Sequence, residues 1–177
     1  MIARRAAALA ALALPVAAAA LEPRFDHRDT HGPSAELSFA HDTVAKAGSP
    51  TASTWRPAAR VAWGFDVSGV GDDLMVGVTA ALRSFDDPER GRVLLALDAR
   101  YRGYFGTEEL KTFFDLGAWV PLKSRLAVGP LAGLGIAYDF SRRAGVYAAG
   151  TFATAFGQAR IASFGAAVGA QVRFELP

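Results

Sequence analysis

The sequence predicts an all-β chain, with eight antiparallel strands joined as an up-and-down meander and closed into a barrel. Three observations predict it. Beyond residue 34 apolar residues recur with period two, short turn-rich stretches separate the alternating runs, and no helical period interrupts them. The run from Arg125 to Phe140, RLAVGPLAGLGIAYDF, is the sharpest case. As a helix it would carry Gly129, Gly133 and Gly135 in its interior at about 1 kcal/mol each, and Pro130 at about 3. As a strand it resolves into two faces. Leu126, Val128, Pro130, Ala132, Leu134, Ile136, Tyr138 and Phe140 lie on one, and Ala127, Gly129, Leu131, Gly133, Gly135, Ala137 and Asp139 on the other.

The chain has 177 residues, a formal charge of +2 and no cysteine. Residues 1–20, MIARRAAALAALALPVAAAA, place Arg4 and Arg5 ahead of an Ala-rich apolar stretch that ends in small residues. This is the pattern of a secretory signal peptide cleaved near Ala20. The stretch is shorter than the roughly 20 residues of a spanning helix. Cleavage removes two arginines and no acid, bringing the formal charge from +2 to zero, so net basicity implies no nucleic-acid partner. The lack of cysteine excludes a disulfide scaffold and a lipid-modified N-terminal cysteine. The mature length suits one domain. Residues 21–34, LEPRFDHRDTHGPS, read as an irregular leader, and residues 35–177 as the barrel.

The strands follow in order. A first, weakly patterned one is expected over Ala35 to His41. Ala59, Val61, Trp63, Phe65 and Val67 then alternate with Arg60, Ala62, Gly64, Asp66 and Ser68. After a Gly- and Asp-rich turn at Ser68 to Asp72, Leu74, Val76, Val78, Ala80 and Leu82 continue the pattern as the second arm of a hairpin. Leu95 to Tyr101, Phe114 to Leu122, Leu126 to Phe140, Val146 to Phe156 and Phe164 to Leu176 complete the eight. Consecutive hairpins of this kind close naturally into an eight-stranded barrel. Every connection except the first, His41 to Arg56, is expected to be short.

Two barrels fit such alternation, and they are opposites. A soluble, lipocalin-like barrel holds its apolar face inside around a small apolar ligand, whereas a transmembrane β-barrel turns that face to lipid and keeps its lumen polar. In the last three strands the second face is mainly Gly and Ala. That is a poor soluble surface and a good lining for a narrow lumen. Its charged members along the chain are Arg60, Asp66, Arg83, Asp98, Arg100, Arg102, Asp115, Asp139, Arg173 and Glu175, mixed in sign and able to pair across the lumen. Tyr101, Phe105, Tyr138, Phe140 and Phe174 fall on the apolar face toward strand ends, as interfacial girdles do. The strands match the roughly 9–11 residues that cross a bilayer at a tilt.

With this pattern residues 35–176 resemble the small eight-stranded outer-membrane proteins of Gram-negative bacteria, the class that includes the OmpA transmembrane domain and OmpX. The last strand, with Val168, Ala170, Val172 and Phe174 alternating, is similar to the C-terminal assembly signal of that family, although Glu175, Leu176 and Pro177 follow its aromatic. The resemblance implies an outer-membrane location, contact with lipid and lipopolysaccharide, and handling by the barrel-assembly machinery. It also implies both termini in the periplasm and the His41 to Arg56 loop outside, with Gly103 to Lys111 periplasmic and Pro121 to Arg125 external.

Little in the chain points to chemistry. His27, His31 and His41 lie among Asp26, Asp29 and Asp42, ligand types that suit a metal, but without a helix their spacing converges on nothing, and no metal is expected. Ser38 and His41 are the close Ser/His pair on an expected strand, and a rim-site lipid-modifying enzyme would need such a pair. Their spacing of three puts them on opposite faces. Gly129, Gly133 and Gly135 lie within a strand and make no phosphate-binding loop. Eight strands leave an interior just filled by side chains, so the lumen charges read as an ion-paired plug. The expected protein is a non-enzymatic outer-membrane barrel with a closed polar lumen, no cofactor, and an envelope-structural or surface-interaction role. The soluble ligand-binding barrel is the main alternative and the rim-site enzyme the third.

Overall fold

The computed structural model describes residues 27–46, 50–67, 71–82, 94–106, 108–122, 127–157 and 159–175. The expected signal peptide (1–20), the leader as far as Asp26, Arg83, Leu126, Leu176 and Pro177 lie outside them. The strands are β1 (Thr30–Lys46), β2 (Ala52–Asp66), β3 (Asp73–Ala81), β4 (Leu94–Phe105), β5 (Leu110–Leu122), β6 (Gly129–Ser141), β7 (Ala144–Ala155) and β8 (Ala159–Val172), with a two-residue β9 (Phe174–Glu175). All pair antiparallel with their neighbours, and β1 bonds to both β2 and β8, which closes an eight-stranded barrel. β9 continues the β8 wall against Thr30 and His31.

The first strand is longer at both ends than the sequence suggested. Thr30 to Ser34, expected in the leader, belong to the wall, because β2 pairs with His31 to Ser34 on one side while β9 pairs with Thr30 and His31, and β8 with Ser34, on the other. Pro33, paired with Trp63 of β2, falls in the gap on its other side between the β8 ladder, which ends at Ser34, and the β9 ladder, which ends at His31, a place where a residue without an N–H is tolerated. At the other end β1 and β2 remain paired as far as Val44 and Ala52. The expected His41 to Arg56 loop is therefore a hairpin whose strands leave only residues 47–51 between them. The longest stretch between consecutive strands is instead 82–93. The Gly103 to Lys111 and Pro121 to Arg125 connections shift to 106–109 and 123–128. The last strand is interrupted at Arg173, whose N–H donates to the Arg143 carbonyl (2.8 Å) while its side chain turns inward.

The two faces separate as the alternation requires. Val61, Val76, Leu116, Leu134, Ile136 and Val168 point outward and are exposed, Leu134 by 71%. Arg60, Ala62, Met75, Asp98, Phe113, Asp115, Ala137 and Ala167 point inward and are buried. Aromatic rings ring the outer face at two heights. Phe65, Phe105, Phe140 and Phe174 mark the end that carries the termini, and Trp55, Phe156 and Phe164 the opposite end, all of them exposed. From Trp55 to Phe65 the chain advances ten residues. At about 3.3 Å each and a tilt of about 40° that is roughly 25 Å, the height of a lipid-facing apolar band.

Glycine on the inner face makes room for larger inward neighbours. A Cβ on Gly135 would stand 2.3 Å from the Phe113 ring, and one on Gly77 would stand 2.7 Å from Arg60 Nη2. Residues 127–140 are thus lipid-facing on one side and kept thin on the other by what they pack against. Val61, exposed midway between the two aromatic belts, tests this orientation. Val61→Arg should lower unfolding stability in phospholipid vesicles by about 2–4 kcal/mol, as read by urea titration; an unchanged midpoint would place this face in water.

Candidate functional site: the ion-paired lumen

Alternation sends every second side chain into a lumen too narrow for bulk water, so each charge there needs a partner. Among the described residues the lumen holds six acids, Glu36, Asp42, Asp73, Asp98, Asp115 and Asp139, all buried. Six bases face them: Arg60, Arg100, Arg102, Lys111 and Arg173, also buried, and Arg56, 13% exposed and paired with Asp42. The formal charges of these twelve groups balance.

They form three tiers, of which Asp42 with Arg56 is the one farthest from the termini. At the end carrying the termini, Arg173 grips Asp73 with two hydrogen bonds, Nη1 to Oδ1 (3.1 Å) and Nη2 to Oδ2 (2.9 Å), and also donates to the Tyr104 hydroxyl (2.9 Å). Beside it Lys111 donates to Asp139 Oδ2 (2.8 Å), and His27 Nε2 lies 2.7 Å from the same oxygen. In the middle Arg102, wholly buried, donates through Nε (2.7 Å) and Nη2 (2.9 Å) to the two oxygens of Asp115. Its guanidinium lies 3.9 Å from the centroid of the Phe113 ring and 4.5 Å from that of Tyr147. Next to this pair Asp98 takes Arg60 through Nε (2.9 Å) and Nη2 (2.6 Å) and Arg100 through Nε (2.7 Å). Glu36, which accepts from the Tyr147 hydroxyl (3.1 Å), stands 3.9 Å from Arg60 Nη1 and 4.0 Å from Arg100 Nη1. Toward the opposite end Trp119, Leu131, Ile161 and Ala155 pack as an apolar cluster. A cavity of about 80 Å³ lined by Ser38, Thr79 and Ser163 remains nearby. It has room for a few waters and falls well short of the roughly 300 Å³ of a small-molecule site.

His27 was expected in an irregular leader. It lies inside the mouth of the barrel, 2% exposed, edge-on to Tyr104 and braced by the Thr30 hydroxyl donating to its carbonyl (2.6 Å). Burial pushes its pKa below 6.5, the Asp139 hydrogen bond opposes that, and Arg173 and Lys111 reinforce it. The other histidines lie elsewhere. His31 stacks on Trp63 and Phe65 on the outer face, and His41 leans on Trp55 at the far end. No cluster of three potential metal ligands occurs among the described residues. Ser38 lines the lumen cavity, whereas His41 keeps its ring against Trp55 outside.

Of the lumen charges expected from sequence, Arg60, Asp98, Arg100, Arg102, Asp115, Asp139 and Arg173 meet inside. Two do not. Asp66, at the end of β2, is half-buried and accepts from the Asp29 N–H (2.8 Å). Glu175 is exposed at the rim, 3.9 Å from Arg143, because it pairs with Thr30 at the very end of the wall. Glu36, Asp42, Asp73, Lys111 and Tyr147 were missed although their parity was readable: Glu36 and Asp42 share a face with Ser38, and Lys111 with Phe113 and Asp115. Nothing periodic marked His27.

The network makes two predictions. Asp115→Ala leaves Arg102 buried and unpaired and should cost about 3–5 kcal/mol in vesicle unfolding, while Glu175→Ala at the exposed rim should be indistinguishable from the parent. Because the folded-state pKa of His27 is depressed, its docking contributes fully above pH 6.5 and is lost as pH falls below that value. The His27 imidazole should titrate below 6.5 by NMR in micelles, and Lys111→Met, removing a cation 3.1 Å away, should raise the midpoint; a midpoint at or above 6.5 would contradict the buried geometry.

No protein-family model matches the sequence, and no curated protein matches it. Solved structures do match the fold. Outer membrane protein OprG from Pseudomonas aeruginosa superposes with a TM-score of 0.55 at 10% identity, over 87% of this chain and 100% of that one. Neisserial surface protein A (NspA) gives 0.53 at 14%, over 80% and 97%. Ail, the attachment invasion locus protein of Yersinia pestis, gives 0.51 at 12%, over 83% and 99%. With its apolar exterior, paired interior charges and closed eight-stranded wall, the chain has the fold of the small outer-membrane β-barrels.

Proposed function

We propose that the chain is an integral outer-membrane barrel, exported through its N-terminal signal peptide, that keeps a closed polar lumen and serves envelope structure or surface interaction without catalysis. The observation that carries this reading is the balanced lumen, in which six acids and six bases pair across a space with little volume left. The soluble alternative would need an apolar interior around its ligand, and the interior is charged. The enzyme alternative would need Ser38 and His41 on one face, and they lie on two.

The connections support an orientation. Residues 67–72, 106–109 and 142–143 join strands at the end carrying the termini, whereas 47–51, 82–93, 123–128 and 156–158 join them at the other, which holds the longest connection. Short turns face the periplasm and longer loops the exterior in such barrels. The outward end would then display the β1–β2 hairpin, which stays paired as far as Val44 and Ala52. A paired hairpin of this kind suits contact with a surface partner, and two of the similar structures carry names of that sense, a surface protein and an attachment invasion locus protein.

Three measurements test this reading. The protein should fractionate with outer membranes and migrate as a folded band in unheated detergent, shifting on boiling; recovery as a soluble periplasmic protein would overturn it. Planar-bilayer recording should find no large steady conductance, and a stable open pore would overturn the closed lumen. Lipid A and phospholipid acyl profiles should stay unchanged on overexpression. A new product that disappears in His41→Ala would establish the enzyme instead.

A further inference from the structure

We propose that the rim of the barrel at the end carrying the termini holds the phosphate of an anionic phospholipid headgroup. A cavity of about 460 Å³ opens there, lined by Arg28, Arg142, Arg143 and Arg173 against Asp29 and Glu175. Asp73 already neutralises Arg173, which leaves Arg28, Arg142 and Arg143 against Asp29 and Glu175, an excess of one positive charge. Arg142 and Arg143 form the whole two-residue turn between β6 and β7 and project as neighbours from its exposed tip. Arg173, 5% exposed, spends both terminal nitrogens on Asp73 and Tyr104, and its Nε–H makes no hydrogen bond among the described residues. The contact between Arg143 and Glu175 spans 3.9 Å with both side chains largely in solvent, a weak pairing that a better acceptor displaces. Guanidinium forks match phosphate oxygens two at a time.

Depth selects the occupant. Phe140 stands two residues before Arg142 on the outer face, and Phe174 packs with His31 beside it (6.0 Å). Aromatic belts of this kind sit at headgroup level, so the arginines just beyond them lie where lipid phosphates are concentrated. A zwitterionic headgroup would bring its own cation to an already cationic cavity; an anionic one would not. The inference takes only the leaflet from the orientation proposed above, and a detergent titration reads the site whether or not that orientation holds.

The mature chain, refolded in detergent, is titrated with phosphatidylglycerol or phosphatidylcholine, and bound lipid is read by native mass spectrometry. One phosphatidylglycerol should be retained per barrel under activation that strips phosphatidylcholine. Arg142→Gln with Arg143→Gln should weaken that retention by about tenfold while heat-dependent gel mobility stays that of a folded barrel. Arg160→Gln, which removes an exposed arginine at the opposite end of β8, should leave it unchanged. Equal retention of the two lipids, parental binding by the double variant, or an equal loss in Arg160→Gln would overturn the site. Displacement by inorganic phosphate at concentrations matching the lipid would overturn the lipid assignment in favour of a free anion.

Discussion

Closure of the hydrogen-bonded wall is the constraint on which the rest of this structure depends. Hydrocarbon offers no partner to a backbone N–H or C=O, so a sheet in lipid tolerates no edge. The chain meets that demand where β1 pairs with β8 as well as β2. Even the short β9 serves it, continuing the wall past the interruption at Arg173 so that Thr30 and His31 are paired. Once the wall is closed, each residue has two possible surroundings, lipid or lumen, and its parity along the strand decides which.

Eight strands enclose a space that side chains alone must fill. Large inward groups such as Phe113, Arg60 and Trp119 fit because small ones oppose them, with Gly135 beneath the Phe113 ring and Gly77 beneath the Arg60 guanidinium. The same narrowness governs the charges. Burying an ion costs several kcal/mol unless a partner recovers it. A guanidinium such as that of Arg102, wholly buried, is therefore tolerated only with Asp115 bonded to it and two aromatic faces beside it. Polar filling and wall-to-wall bonding are one arrangement: the pairs that fill the lumen also tie distant strands together.

Much of this was legible in the sequence because a period of two is a local property. Val61 against Arg60, or Leu134 against Gly133, can be assigned to opposite faces without knowing any partner strand. Gly135 in a strand betrayed a crowded inner face for the same reason. The parts that were not legible depend on pairing between distant segments. Thr30 to Ser34 looked irregular because Gly32 and Pro33 break the local pattern, and they are strand only because β2, β8 and β9 offer them partners. Glu175 shares parity with Arg173, yet it stays outside because the wall ends there. His27 carries no periodic signal. Its burial follows from Asp139, 112 residues away, reaching the same mouth.

By itself the sequence determined that this chain is a barrel with an apolar exterior and a polar interior, since alternation, small inner residues and sign-mixed charges are written residue by residue. Which acid meets which base, where the wall closes and what stops its mouth were decided by the tertiary structure. Strand register and shear bring Arg173 to Asp73 and Lys111 to Asp139 across the lumen, and register is set by pairings that run across the whole sheet and are encoded in no one segment.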